Sequence, residues 1–210
     1  MYEKEVAGIL LKVNAVTLNP KKPYKYTSGI LSPIYCDNRI LMSYPKEREI
    51  IIDFFIELIE KKKLEFDIIA GTATAGVPWA AWISQRLKKP MIYVRKESKD
   101  HGKENLIEGK MEKGKKVLVI EDLISTGSSS IAAVRAVRKA GGIVKECCAI
   151  FTYNMNKSKI LFGEEKCRLH ALSNFKVLVE TASKSGYIKN DDKALVLSWS
   201  KNPEKWCKDN

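Results

Sequence analysis

The stretch that decides the fold of this chain is Val117-Leu118-Val119-Ile120-Glu121-Asp122-Leu123-Ile124-Ser125-Thr126-Gly127-Ser128-Ser129-Ser130. Four apolar residues lead into two adjacent carboxylates, and small hydroxylated residues then open a helix. Such a continuous apolar run is typical of a strand that is covered on both faces, as in a parallel sheet. Parallel sheets bind ligands at the carboxyl ends of their strands, and the N-terminus of a helix favours phosphate. The stretch therefore predicts a strand, a phosphate-binding loop and a helix.

Short apolar runs and amphipathic segments alternate on both sides of this stretch. Strands are predicted over residues 66–70, 91–94, 116–121, 143–151 and 168–172. Helices are predicted near the N-terminus, after Pro45, and over residues 77–87, 128–140 and 174–184. This alternation predicts an α/β fold with a mostly parallel sheet flanked by helices. We expect a single domain over residues 1–210, with a small N-terminal appendage over residues 1–40.

Composition and charge narrow the classes of partner. The chain carries 37 Lys and Arg against 25 Asp and Glu, a formal net charge of +12 that favours an anionic partner. That partner could be nucleic acid, anionic lipid or a phosphorylated small molecule. No apolar run approaches the roughly 18 residues of a membrane span, and the acidic N-terminus is unlike a signal peptide. Five cysteines without a C-x-x-C spacing predict free thiols. We therefore expect a cytoplasmic protein with no membrane partner.

The loop after the decisive strand combines phosphate-binding and carboxylate features. It offers hydroxyl groups at Ser125, Thr126, Ser128 and Ser129. Gly127 allows a close approach of the backbone. Glu121 and Asp122 would repel phosphate alone, but they suit a ligand that carries both a phosphate and sugar hydroxyls. The glycine spacing over residues 71–76 is not a P-loop, because Val77-Pro78 follows it. The alternative is an ordinary strand–turn–helix in which these polar residues only cap the helix.

The same stretch resembles the phosphoribosyl-pyrophosphate signature of type I phosphoribosyltransferases. Residues 93–102 resemble the basic loop of the orotate phosphoribosyltransferases within that family, and residues 27–39 resemble their N-terminal substrate segment. Together with residues 71–76, the resemblance covers roughly residues 1–190 in order. Two positions depart from the family pattern, since Thr27 and Ala75 stand where many members carry lysine.

The resemblance implies an enzyme that transfers the phosphoribosyl group of phosphoribosyl pyrophosphate to orotate, giving orotidine 5′-monophosphate and pyrophosphate. It implies Mg²⁺ as cofactor, carried mainly by the pyrophosphate and ribose oxygens of the substrate, so we predict no metal site made of protein ligands alone. It also implies a homodimer. A mobile lid loop over residues 96–115 would be shared across its interface, while residues 1–40 would cover the substrate. Nucleic acid is not an expected partner.

The resemblance assigns roles to individual residues. Catalysis is expected from Lys99, Glu121 and Asp122. Phosphoribosyl pyrophosphate is expected to contact Arg95, Lys96, Lys99, His101, Glu121, Asp122, Leu123, Ile124, Ser125, Thr126, Gly127, Ser128 and Ser129. Ser125 is also expected to contact orotate. Thr74 and Ala75 belong to the loop whose backbone N–H groups would meet the pyrophosphate. The basic residues Arg95 to His101 would serve the site of the neighbouring subunit.

Two other functions remain open on the sequence alone. One is transfer to a purine base, since the signature is shared by purine and pyrimidine members of the family. The other is a non-catalytic nucleic-acid regulator that senses phosphoribosyl pyrophosphate, which the positive charge favours slightly. Against it, the chain shows no helix-turn-helix pattern, and its aromatic residues do not interleave with the basic stretch. The stretch 202–207 has no predicted role.

Overall fold

A computed structural model describes residues 2–26, 29–96, 106–203 and 206 of the chain. Within them the helices are α1 (Glu3–Lys12), α2 (Pro45–Lys61), α3 (Gly76–Leu87), α4 (Ser128–Lys139), α5 (Asn156–Glu164), α6 (Phe175–Lys184) and α7 (Asp192–Trp199), with a 3₁₀ helix at Asn38–Ser43. The strands are β1 (Val16–Leu18), β2 (Tyr24–Lys25), β3 (Leu31–Ser32), β4 (Ile34–Cys36), β5 (Ile68–Thr72), β6 (Met91–Val94), β7 (Ile107–Glu108), β8 (Lys116–Ile124), β9 (Ile143–Thr152) and β10 (Arg168–Asn174).

Six of these strands form the central sheet in the order β10-β9-β8-β5-β6-β7. All neighbouring pairs are parallel except β6 and β7, so the predicted mostly parallel α/β sheet is confirmed. The chain passes from β5 to β6 on one side and then returns to place β8 on the other side of β5. Gly71 pairs with Ile120 across this junction. The carboxyl ends of β5 and β8 therefore lie side by side at a topological switch point, where such sheets bind ligands.

The apolar run of β8 is buried on both faces of the sheet, as the sequence predicts. Val117 and Val119 pack into the cluster that includes the buried face of α4. Leu118 and Ile120 point the other way, into a larger cluster that includes side chains of α2, α3 and α6. This alternation follows from the two-residue period of a strand. Helices on both faces thus fix the strand that carries the carboxylates.

The N-terminal segment divides into two structural parts. Helix α1 packs against α6 and β10, and the hydroxyl of Ser173 donates to the backbone oxygen of Glu3 at 2.8 Å. This helix is therefore one of the helices that flank the sheet. The following residues form two small antiparallel ribbons, β1 with β4 and β2 with β3. The part of the predicted appendage that stands apart from the sheet is thus restricted to these ribbons.

The structure narrows the predicted loop over residues 96–115. Strand β7 pairs with β6 inside that range, and its Ile107 is buried. The backbone N–H of Arg95 donates to the oxygen of Leu106 at 2.8 Å. Residues 106–108 are therefore part of the sheet edge, because the backbone groups of β6 provide them with partners. Residues 97–105, the remainder of the predicted lid before this edge, lie outside the described residues.

Among the residues that the structure describes, no helix combines the length and the apolar character needed to cross a membrane.

Candidate active site

Strand β8 carries both carboxylates of the predicted site within its last residues. The strand extends to Ile124, three residues beyond the predicted end, because its pairing with β9 continues through Leu123 and Phe151. Glu121 is only 5% exposed. Its carboxylate accepts hydrogen bonds from the hydroxyls of Ser130 at 3.1 Å and Ser129 at 3.5 Å. The first turn of α4 therefore holds the Glu121 side chain in place.

The buried Glu121 carboxyl lies next to the partly buried Asp122 carboxyl, which makes their negative charges costly. Burial and the adjacent Asp122 carboxylate raise the pKa of Glu121 to about 8. Burial also raises the pKa of Asp122 above its ordinary value. Each effect arises because a low-polarity environment disfavours a charged carboxylate, and a like charge nearby disfavours it further. A proton or a cation beside this pair would relieve the repulsion.

A cavity of about 290 Å³, here called the carboxylate cavity, opens at the switch point. It brings together the predicted residues Thr74, Ala75, Lys96, Glu121, Asp122, Leu123 and Ser129. It also contains four residues without a predicted role, Cys36, Asp37, Arg39 and Ala73. Lys96, which the resemblance assigns to a neighbouring subunit, lines this cavity in its own chain. The predicted pyrophosphate loop and the carboxylates therefore face a common space.

The N-terminal segment completes one side of the carboxylate cavity. The side-chain amide of Asn38, which is fully buried, donates to the backbone oxygen of Asp122 at 2.8 Å. The Arg39 guanidinium donates to both carboxylate oxygens of Asp37, at 2.7 and 2.8 Å, and lowers the pKa of that carboxyl. Asn38 thus connects the 3₁₀ helix to the carboxylate loop. The sequence motifs assigned no role to Asp37, Asn38 or Arg39, although all three lie in the stretch 27–39 that carries the family resemblance.

The pyrophosphate loop of the prediction approaches β8 very closely. A Cβ atom on Gly76 would lie 2.4 Å from the backbone oxygen of Ile120, so only glycine fits at the start of α3. The hydroxyl of Thr72, at the end of β5, is buried without a hydrogen-bond partner among the described residues. An orphaned buried hydroxyl is costly and marks a place where a ligand or water can bind.

Gly127 immediately precedes α4 and has a backbone conformation that favours glycine. Its φ is +84°, and a Cβ there would lie 3.1 Å from Cε2 of Phe162. The sequence explains this glycine by close approach to a phosphate, whereas the structure explains it by the left-handed turn and the contact with α5. The hydroxyls of Thr126 and Ser128 lie 3.2 Å apart beside the helix N-terminus. The backbone N–H groups of a first helical turn have no partner within the helix, so the N-terminus of α4 suits an anion.

Ser125 opens into a second cavity, of about 380 Å³, here called the Ser125 cavity. Thr126 and Tyr26 line it, together with Met155 and Trp199. The hydroxyl of Ser125 lies 4.0 Å from the sulfur of Met155. The loop after β8 thus separates two spaces of different character, one with carboxylates and one with aromatic and apolar walls.

Four predicted residues are not brought into either cavity by the described structure. The side chain of Ile124 is fully buried in the core, and its backbone oxygen accepts from the N–H of Tyr153. Arg95 lies 3.5 Å from the carboxylate of Glu108 and lines neither cavity. Gly127 is buried against α5, and Ser128 is exposed outside both cavities. Ile124 can therefore meet a ligand only through its backbone, because its side chain is directed into the core and its strand pairs with β9 at this point.

Lys99 and His101, two further predicted site residues, lie outside the described residues.

Comparison with known proteins identifies the family. The phosphoribosyl transferase domain model matches residues 41–184. An orotate phosphoribosyltransferase of Coxiella burnetii is 54% identical over 202 residues, covering 96% of this chain and 97% of the relative. One of Listeria innocua is 50% identical over 206 residues, covering 98% of this chain and 99% of the relative. The crystal structure of the orotate phosphoribosyltransferase from Aeropyrum pernix has a TM-score of 0.76 at 29% identity, covering 87% of this chain and 99% of that one. This chain belongs to the orotate phosphoribosyltransferase family.

Proposed function

We propose that this chain transfers the phosphoribosyl group of phosphoribosyl pyrophosphate to orotate, forming orotidine 5′-monophosphate and releasing pyrophosphate in pyrimidine nucleotide synthesis. The observation that carries the proposal is the pair of cavities on either side of the loop after β8. One joins Glu121 and Asp122 to the loop at Thr74, and the other begins at Ser125. Family membership supports orotate as the acceptor base.

The carboxylates are suited to the ribose. Ionised Glu121 and Asp122 accept hydrogen bonds from sugar hydroxyls, which donate. As the bond between the anomeric carbon and the pyrophosphate oxygen breaks, positive charge develops on the ribose ring, as in other displacements at an anomeric carbon. A ring nitrogen of orotate supplies the electron pair of the new bond, and its proton passes to the departing pyrophosphate or to water. Fixed negative charge beside the ribose stabilises this transition state more than the ground state.

The other wall of the carboxylate cavity is suited to the leaving pyrophosphate. Lys96 and Arg39 supply positive charge there, and the backbone at Thr74 and Ala75 faces the same space. The unpartnered hydroxyl of Thr72 lies at the base of this loop. Hydrogen bonds to charged oxygens are about twice as strong as neutral ones, so these donors favour pyrophosphate departure. The 5′-phosphate is assigned to the N-terminus of α4, beside Thr126 and Ser129.

The residues of the carboxylate cavity fit Mg²⁺, which prefers oxygen ligands and retains waters. Glu121 and the partly buried Asp122 offer carboxylates whose raised pKa values a cation would lower. The described residues contain no group of three or more His, Cys, Asp or Glu side chains that could hold a metal. We therefore assign the two carboxylates to its outer surroundings, with the substrate oxygens as its main ligands. When bound, Mg²⁺ supplies charge neutralisation of the pyrophosphate.

The proposal includes a homodimer with a shared lid. Lys99 and His101 would neutralise the pyrophosphate of the neighbouring subunit when the lid closes, and Arg95 would contribute a planar fork for phosphate oxygens. Arg95 supports this arrangement because it lines neither cavity of its own chain. Lys96, in contrast, is assigned to its own chain.

The test is consumption of orotate with phosphoribosyl pyrophosphate, with and without Mg²⁺. We expect orotidine 5′-monophosphate and pyrophosphate in equal amounts, and loss of turnover when the metal is removed. Consumption of adenine or hypoxanthine but not of orotate would establish a purine-base transferase instead. DNA or RNA binding at moderate salt without any turnover would establish a regulator.

A further inference from the structure

The C-terminal segment, residues 199–203, is a fixed wall of the Ser125 cavity. Trp199 is fully buried, and its ring N–H donates to the backbone oxygen of Leu31 at 3.1 Å. The same ring meets Tyr26 edge to face, with ring centroids 6.4 Å apart. Further along, the ring N–H of Trp206 donates to the backbone oxygen of Leu195 at 3.0 Å. Hydrogen bonds from the first residue of the segment and from Trp206 beyond its end therefore attach it to the folded body.

Two lysines, one of them on this wall, give the Ser125 cavity a positive charge. Lys201 lines the cavity from the C-terminal segment, and Lys157 lines it from the start of α5. The described residues around this cavity include no Asp or Glu. Neither lysine forms an ion pair within the part of the chain that the structure describes. Two uncompensated ammonium groups beside an aromatic wall suit a planar anion.

The neighbouring carboxylate cavity differs, because carboxyl groups line it beside basic side chains. It contains the carboxyl groups of Asp37, Glu121 and Asp122, together with Arg39 and Lys96. The Ser125 cavity has two lysines and no lining carboxyl group, so an anionic base is more favourable there than beside Glu121 and Asp122. The charges of the two cavities therefore favour one orientation of the substrates. The sugar hydroxyls face the carboxylates, and a negatively charged base lies beside the two lysines.

We propose that Lys157 and Lys201 together bind the carboxylate of orotate, so that the C-terminal segment selects the acceptor base. This inference rests on the proposed function and extends it to the basis of base selection. Neutral pyrimidines and purines lack the carboxylate and gain nothing from the two ammonium groups. Lysine suits this role because its charge sits at the end of a flexible stem and reaches a carboxylate from either wall.

The expected effect is a loss of orotate affinity without a loss of phosphoribosyl pyrophosphate affinity. Lys157→Gln and Lys201→Gln keep the length of the side chain and remove its charge. Each should raise the KM for orotate about tenfold, which is the lower end of the effect of losing a hydrogen bond to a charged group. The KM for phosphoribosyl pyrophosphate should stay within about twofold. Lys159→Gln is the matched control, since that lysine is exposed on α5 outside the cavity.

The experiment uses the full-length protein and two acceptor probes, orotate and uracil, which lacks the carboxylate. Dissociation constants are measured at about 50 and 500 mM salt, because screening weakens exposed charge pairs. Orotate binding should weaken with salt in the wild type and much less in the double variant, while inhibition by uracil stays unchanged. An unchanged orotate KM in either single variant, or an equal loss for uracil, overturns the two-lysine site. A wild type that binds phosphoribosyl pyrophosphate but never consumes orotate overturns the proposed function itself.

Discussion

Glu121 is a carboxyl group that the fold keeps from water before any ligand arrives. Its environment raises the pKa from an ordinary 4.5 to about 8. The folded protein thus binds this proton more tightly than the unfolded chain does. The contribution of the protonated group to the free energy of unfolding is complete below pH 4.5 and is lost as the pH rises through about 8. At neutral pH the empty site therefore carries a cost that a bound cation would relieve.

The stability of the wild type should consequently fall between pH 5 and pH 8 relative to Glu121→Gln. The slope of the difference is at most about 1.4 kcal/mol per pH unit, the value of one full proton. Urea denaturation at three pH values, without Mg²⁺ or phosphoribosyl pyrophosphate, measures it. Glu164→Gln, an exposed position on α5, serves as the control and should show no such trend. If the free energies of unfolding of the wild type and Glu121→Gln changed in parallel with pH, the raised pKa of Glu121 would be contradicted.

Asp122→Asn should reduce turnover more than substrate binding. The substitution keeps the shape of the side chain but removes the charge that favours a positively charged ribose in the transition state. We expect kcat to fall about a hundredfold, with the KM for phosphoribosyl pyrophosphate changed less than about threefold. Steady-state kinetics on both substrates measure the two effects. Asp191→Asn, at an exposed position, should behave as the wild type, and near-normal turnover of Asp122→Asn would remove this residue from catalysis.

At the scale of elements, the contact between the start of α4 and α5 determines what Gly127 tolerates. A side chain at φ +84° is strained, and its Cβ would press on Phe162. Gly127→Ala should therefore lower the free energy of unfolding by about 1–2 kcal/mol. Gly163→Ala should raise it by about 0.5–1 kcal/mol, since that glycine lies within α5 with open space around it. Urea denaturation measures both free energies of unfolding. Changes of opposite sign would support the strain at Gly127, and equal changes would contradict it.

Periodicity in the sequence predicted the elements that bury a clear apolar pattern, and it missed those that do not. Helices α1 to α4 and α6 and strands β5, β6, β8, β9 and β10 are confirmed. Helix α5 was not predicted, because only Ser158 and Phe162 of its residues are buried, and these form no apolar stripe. Helix α7 likewise buries only Val196 and Trp199. Both are short and are held mainly by tertiary packing rather than by their own pattern.

The sequence pointed to those residues of the candidate site that belong to a local motif at the end of a strand. It gave no signal for residues that reach the site from distant parts of the sequence. Glu121, Asp122 and Thr74 belong to local motifs at the ends of strands. Asn38 reaches Asp122 across 84 residues of sequence, and no local spacing signals such a contact. The sequence likewise predicted no role for Lys201, because its place beside Ser125 depends on how α7 packs.

At the scale of the whole molecule, the proposed dimer can be tested by mixing two inactive variants. Lys99→Ala removes the lid charge and Asp122→Asn removes the ribose carboxylate. If the lid acts across the interface, each mixed dimer contains one site with both residues intact. Random subunit exchange should then restore about a quarter of the wild-type activity. Each variant incubated alone is the control, and demonstrated mixed dimers without activity would rule out a shared lid.

The hydrogen bond from Trp199 to Leu31 spans 168 residues of sequence, so the wall of the Ser125 cavity joins an early part of the nascent chain to a late one. At the usual pace of translation, on the order of ten seconds separates their emergence. All six strands of the sheet and both carboxylates have been synthesised by residue 174, well before Trp199 and Lys201. An interrupted translation product could therefore form the carboxylate cavity while lacking Lys201, one of the two lysines proposed to bind the base.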